Sequence, residues 1–149
     1  MFDEILNGLE KLLADNSTTR LDTAFFELVL KRLESFGYTA AKEDGWLLYY
    51  IGASVEQKIK NECNTAAIPG GLLYKAVDMV CGEFLYQKFN SGQADIEALD
   101  LEQMARTVKI GDVTVEYGDN AVGNEAKFTA LVDKLRELGD CLCYRRLRW

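Results

Sequence analysis

The chain has 149 residues, of which 48% are hydrophobic, and its formal net charge is −7. A chain of this length buries about 68–70% of its unfolded surface, so we expect one domain over residues 1–149 with its own core. An acidic chain repels the phosphate backbone, so binding to nucleic acid is not expected. No apolar run reaches the roughly 20 residues that a membrane-spanning helix needs. The acidic start of the chain is unlike a signal peptide, so we expect a cytosolic protein, or part of a particle assembled in the cytosol, with reduced cysteines.

Apolar side chains at three- and four-residue spacing predict two helices in the first 36 residues. The first covers residues 2–14 within an N-terminal segment that we assign to 1–17, and the polar run at 15–18 ends it. The second runs from about residue 19 to residue 36, with Gly37 at the C′ position that glycine favours. The apolar positions that define these two helices are Phe2, Ile5, Leu6, Leu9, Leu12, Leu13, Leu21, Phe25, Leu28, Val29 and Leu33.

Two further helices are predicted on either side of the single proline. The third follows Thr39 as its N-cap and ends near Asn64. The fourth opens with Pro69 at its first position, reaches about Phe89, and is stopped by residues 90–92. Their apolar positions are Leu47, Ile51, Val55, Ile59, Leu73, Val77, Val80, Phe84 and Leu85, with Trp46 and Tyr50 beside the first of these stripes.

The periodicity changes after residue 106. Residues 95–106 give a weak helical signal, typical of a short helix or an ordered loop, whereas 107–118 alternate apolar and polar residues around a Gly-Asp turn. This alternation predicts a β-hairpin, which is marginal in water when isolated. It would therefore pack on the helices or pair with another copy of the chain. The residues that we assign to a subunit-interface hairpin are Val108, Ile110, Gly111, Asp112, Val113, Val115 and Tyr117.

The C-terminal region combines a helix with a basic tail. The last helix is predicted from about residue 124 to residue 139, with Phe128, Leu131, Val132, Leu135 and Leu138 on one face. The last six residues of the tail at 141–149 hold three arginines and no acid, so residues 1–143 carry a net charge of −10. Arginine, tyrosine and tryptophan are enriched at binding hot spots. We therefore assign partner contact to Tyr144, Arg145, Arg146, Leu147, Arg148 and Trp149.

No catalytic, cofactor-binding or metal-binding residues are predicted. Histidine is absent, and no phosphate-binding, dinucleotide-binding or nucleophile motif is present. Cys63 and Cys81 fall at apolar helical positions and are expected in the core. Cys141 and Cys143 resemble half of a metal site, but no histidine or second cysteine pair is present to complete it. The acidic residues of 95–102 are expected to form a solvated surface. The fold class that follows is mainly α, a small bundle of four to five helices with one inserted β-hairpin.

Four segments of the chain resemble a known family. They are residues 59–64 leading to Ile68-Pro69, residues 77–85, the IGDVTVEY stretch at 110–117, and the closing YRRLRW at 144–149. In order and spacing they resemble the head–tail connector proteins (adaptor or head-completion proteins) of long-tailed phages and prophages. The resemblance covers roughly residues 20–149 and is weakest for the first helix.

The resemblance implies a structural virion protein rather than an enzyme. Such proteins assemble in the host bacterial cytoplasm and form a ring of about twelve copies at the head–tail junction, although they can be monomers when isolated. The implied partners are the portal protein, a stopper or tail-completion protein, and neighbouring copies. DNA would pass through the channel without sequence-specific binding, and no membrane contact is implied. In this ring we expect the hairpin to contact a neighbour or line the channel, and the tail to contact the portal.

Two other interpretations of the sequence remain open. One is a small regulatory or scaffolding module that binds one acidic partner through the basic tail. The other is a helical enzyme that uses carboxylates and a metal, which would require metal in the purified protein.

Overall fold

Five α-helices make up most of the part of the chain that the computed structural model describes, which is residues 3–15, 19–92, 99, 101 and 124–138. Two single-turn 3-10 helices, Lys42–Asp44 and Gly70–Leu72, lead into the third and fourth helices. The prediction of a mainly α protein is confirmed, whereas the predicted hairpin at 107–118 lies outside the described residues. The helices are α1 (Asp3–Asp15), α2 (Thr23–Ser35), α3 (Gly45–Cys63), α4 (Leu73–Asn90) and α5 (Asn124–Arg136).

Helix α4 is the centre of the packing. It contacts α2, α3 and α5, while α1 packs on α2 and α3. Gly82 lets α5 approach α4 closely, because a Cβ at this position would lie 2.6 Å from the Cβ of Leu135. The predicted core positions are confirmed as buried or partly buried on every described helix, and Cys63 and Cys81 are both fully buried as expected.

Helix α2 begins later than its apolar pattern suggests. The predicted start near residue 19 is wrong, because Asp22 is the N-cap and its Oδ1 accepts a hydrogen bond from the Phe25 N–H at 2.9 Å. At the other end the prediction is confirmed. Gly37 adopts φ 90°, and the Tyr38 N–H donates to the Leu33 carbonyl at 3.0 Å, which closes the helix with a Schellman motif.

Helix α3 is entered through a 3-10 turn, so the prediction of Thr39 as its N-cap is wrong. Ala41 precedes the turn, and its N–H donates to Oδ2 of Asp44 at 2.9 Å. Asp44, the last residue of this turn, is 2% exposed, and its carboxylate organises the entry to α3 through this hydrogen bond. The predicted end is confirmed, since Asn64 is the C-cap in the left-handed conformation.

Pro69 does not occupy the first position of an α-helix, so this prediction is wrong. Its backbone, at φ −57° and ψ 141°, is extended and precedes the 3-10 turn Gly70–Leu72. Helix α4 therefore begins at Leu73, and it ends at Asn90 close to the predicted end. Helix α5 begins where predicted but ends at Arg136, three residues before the predicted end.

Two buried carboxylates connect segments that are distant in sequence. Asp44 pairs with Lys88 near the end of α4 and accepts a hydrogen bond from the Tyr38 hydroxyl at 2.8 Å. Glu56, in the middle of α3, is 4% exposed, lies 3.6 Å from Lys60 Nζ, and accepts from the Arg20 N–H at 3.0 Å. Because a buried charge is costly unless paired, these contacts fix both loops that flank α2 against the rest of the bundle.

Candidate functional site: an aromatic pair beside a groove

The site residues predicted from the sequence, the hairpin at 108–117 and the tail at 144–149, lie outside the described residues. The candidate site described here is instead formed by side chains of α3, α4 and α5. Its two components are an exposed aromatic pair on α3 and a groove that begins beside it.

The aromatic pair consists of Trp46 and Tyr50, one helical turn apart at the start of α3. Their rings stack with centroids 5.5 Å apart and an interplanar angle of 14°. Both side chains remain exposed, at 60% for Trp46 and 56% for Tyr50. The hydrogen bond from the Ala41 N–H to the buried Asp44 carboxylate fixes where α3 begins and therefore where these rings point. Stacked aromatic rings left in water offer apolar area to a partner at a low entropic cost, since each has few rotatable bonds.

The groove runs between α3 on one side and α4 with α5 on the other, and has a volume of about 550 Å³. Its apolar floor is buried and comes from Ile51, Val55 and Met79. On the α3 side, Tyr50, Ser54 and Lys58 form the wall. The opposite wall consists of Glu83, Gln87, Asp133, Arg136 and Glu137.

Arg136 organises the wall that α4 and α5 share. Its Nε donates to Oε2 of Glu83 at 2.6 Å, and its guanidinium carbon lies 4.2 Å from the centre of the Tyr86 ring. Gln87 donates to the other oxygen of Glu83 at 3.1 Å. Glu83 is thus held by two donors, while Asp133 lies 3.9 Å from Arg136 with a side chain that is 61% exposed.

The groove continues along α3 as a shallower depression of about 500 Å³ lined by Tyr50, Ser54, Gln57, Lys58, Asn61 and Glu62. Glu62 and Glu137 add exposed carboxylates at the margin. Within the described part of the chain, four acidic and two basic side chains line the two depressions. Their chemistry is therefore suited to holding a peptide with positive charge and aromatic rings.

Two ionisable side chains of α4 that do not line the groove have pKa values shifted by burial. Burial lowers the pKa of Lys75, whose Nζ donates to the Lys134 carbonyl in the last turn of α5 at 3.2 Å. Burial raises the pKa of Cys81 well above its usual value, and its Sγ lies 3.6 Å from the Val29 carbonyl. Cys81 is thus held as a neutral thiol, which is neither a nucleophile nor a metal ligand in that form. Among the described residues, no group of three or more Cys, Asp or Glu side chains could hold a metal ion.

Sequence reasoning placed Trp46 and Tyr50 beside the apolar stripe of α3 but did not assign them to a site. Two aromatic residues four positions apart are neighbours on a helix surface, and these two lie next to a buried stripe. That spacing could have indicated an exposed aromatic face on α3. The wall formed by Glu83 and Arg136 had no such signal, because these residues belong to helices separated by a long stretch of chain.

Comparison with protein-family models, curated proteins and solved structures finds no significant match for the chain. None of the described helices has the length and apolar character needed to cross a membrane.

Proposed function

We propose that this protein is a structural assembly subunit, with no catalytic activity, that belongs to a phage head–tail connector ring. The observation that carries the assembly role is the exposed stack of Trp46 on Tyr50 at the edge of the groove. Exposed aromatic area of this kind marks surfaces that bind other proteins. A small helical bundle with its own core is an adequate scaffold for such contacts.

The choice of a connector ring rests on the sequence resemblance. Two of the four resembling segments fall on described helices, where 59–64 includes the last turn of α3 and 77–85 the centre of α4. These segments supply buried side chains such as Ile59, Cys63 and Phe84. Because the resembling residues include buried ones, the resemblance concerns the helical scaffold of the family. The contacts to neighbours, portal and stopper would then be made by the surface around this core.

In the proposed ring, the hairpin at 107–118 pairs with a neighbouring subunit or lines the channel, and the tail at 141–149 contacts the portal. If each β-edge pairs with the next copy, the backbone N–H and C=O groups of every edge strand in a closed ring find hydrogen-bond partners. The acidic body would repel the DNA backbone, so DNA would slide through the channel without adhering.

The test is whether the chain assembles on rings of the portal protein from the genome that encodes it. Portal rings incubated with excess full-length protein should gain a further ring of density in averaged electron micrographs. A charge-reversed tail, R145E/R146E/R148E, should reduce this docking. If the wild-type chain never associates with the portal rings at any concentration tested, the connector proposal fails.

The competing proposal is a regulatory module that binds an acidic partner through its basic tail. It predicts a chain that stays monomeric in the presence of portal rings and binds elsewhere. Genes for portal and capsid immediately upstream, with tail genes downstream, would favour the ring subunit over this module.

A further inference from the structure

We propose that, in the isolated chain, the groove between α3, α4 and α5 is occupied by the arginine-rich segment 144–149 of the same chain. This inference concerns the free protein and does not depend on the proposed connector function. It rests on the geometry of the groove, its charge, and the point at which the chain leaves α5.

The groove lies beside the end of α5. Arg136 and Glu137, at the end of α5, line the groove, and the described chain ends one residue later at Leu138. Six residue steps separate Leu138 from Tyr144, and an extended chain covers roughly 20 Å in that distance. Packed helix axes lie about 8–10 Å apart, so the segment is long enough to turn back from α5 to α3.

The charge of the groove complements that of the segment. Among the described residues, four carboxylates line the two depressions, those of Glu62, Glu83, Asp133 and Glu137, against the two cations Lys58 and Arg136. The segment 144–149 brings three arginines and no acid. The exposed carboxylates of Asp133 and Glu137 are only loosely engaged, at 3.9 Å from Arg136 and 3.4 Å from Lys134, so they can accept hydrogen bonds from a further guanidinium.

The aromatic pair offers a stacking surface for an arginine. Tyr50 covers one face of the Trp46 indole, and the 60% exposure of Trp46 leaves room for a further planar group. A guanidinium stacks on an indole better than on any other ring. Arg136, which lines the opposite wall, already lies over the Tyr86 ring of α4, so a guanidinium–aromatic contact of this type is present beside the groove. A short linker gives the tail an effective concentration in the millimolar range, at which weak contacts of this kind are populated.

The experiment uses the fact that Trp46 and Trp149 are the only two tryptophans in the chain. In W149F, Trp46 is the sole tryptophan, and acrylamide quenching of its fluorescence reports how open the groove margin is. Adding R145E/R146E/R148E to W149F should raise the quenching constant about twofold if most chains have the groove occupied. A quenching constant that is unchanged by the charge reversal would overturn the proposal.

Changes on the groove side supply the matched controls. D133K/E137K in the W149F background should raise the quenching constant as the tail reversal does, whereas E27K, at an exposed acid of α2 outside the groove, should leave it unchanged. A synthetic peptide of residues 144–149 with phenylalanine at its last position should restore the shielding when added to the charge-reversed chain. The same peptide with glutamate in place of arginine should not.

Two further outcomes count against the proposal. Shielding in W149F that grows with protein concentration would mean that the segment comes from a second copy, which overturns the assignment to the same chain. An equal rise of the quenching constant in E27K would mean that general charge, rather than the groove, controls the access of acrylamide. Because portal protein is absent throughout, failure here leaves the connector proposal standing, and failure of portal docking leaves this inference standing.

Discussion

Arg136 on α5 donates to the Glu83 carboxylate on α4 at 2.6 Å and joins the last turn of α5 to the middle of the central helix. The same guanidinium lies over Tyr86, so it is fixed by an ion pair and by a ring at once. These contacts form one wall of the groove.

Replacing Arg136 should therefore loosen the wall more than the loss of one surface charge would. Both side chains of the ion pair are about one-third exposed, so we expect R136A to lower the free energy of unfolding by about 1 kcal/mol. R136K keeps the charge but loses the planar stacking on Tyr86, so it should retain only part of the stability that R136A loses. Urea denaturation of R136A, E83Q and the double variant measures the interaction energy between the two side chains. Additive effects of the two single changes would contradict a direct interaction.

Gly82 should not tolerate a side chain. A Cβ at this position would lie 2.6 Å from the Leu135 Cβ and 3.2 Å from the Val132 carbonyl, so α5 must move away from α4. We expect G82A to lower the free energy of unfolding by about 1–3 kcal/mol, as overpacking does.

The matched control for G82A is G8A on α1, where a Cβ meets nothing within 4 Å. That change should stabilise the protein by about 0.5–1 kcal/mol, because alanine suits a helix interior better than glycine. Equal effects of the two substitutions in chemical denaturation would show that helix propensity, and not the approach of α5, governs Gly82.

The buried pair of Asp44 and Lys88 should be sensitive to the loss of one partner. Asp44 is 2% exposed, so K88M leaves its charge buried with too few donors and should cost about 3–5 kcal/mol of stability. Thermal unfolding of K88M, D44N and the double variant is the measurement, and the double variant should be more stable than K88M. E27Q, which removes the exposed pair of Glu27 with Lys31, should change stability by less than about 1 kcal/mol.

Cys81 should make stability fall at alkaline pH. Burial raises the folded-state pKa of its thiol, so the contribution to stability is fully present below the unfolded-state pKa of about 8.5 and decreases as pH rises above it. The free energy of unfolding of the wild type should drop more steeply than that of C81A between pH 8 and pH 10. Iodoacetamide should modify Cys81 only through unfolding, so parallel pH profiles together with rapid alkylation of the native protein would contradict the buried neutral thiol.

Trp46 and Tyr50 should matter for assembly and little for folding. Because both rings are more than half exposed, we expect W46A/Y50A to change the free energy of unfolding by about 1 kcal/mol or less. Association with portal rings, measured by co-sedimentation, should weaken at least about tenfold if the pair is a binding hot spot. Y74A, which removes a single aromatic ring that is 73% exposed on α4, is the matched control. Portal association that is equally strong in W46A/Y50A would remove the pair from the assembly surface.

The sequence by itself determined the mainly helical character of the described chain and most of its core. The spacing of Leu47, Ile51, Val55 and Ile59 follows the helical period, and burial of such a stripe depends only on that period. Gly37 and Asn64 also marked helix ends correctly, since few other residues adopt the left-handed conformation readily.

Only the tertiary structure decided how the helices begin and which side chains form the groove. The entry to α3 depends on Asp44, whose cap is stable because Lys88, distant in sequence, neutralises it in the core. The groove depends on how far α5 can approach α4, which the missing side chain of Gly82 sets. Local propensity carries no information about either, because each is a contact between segments that the chain brings together only when it folds.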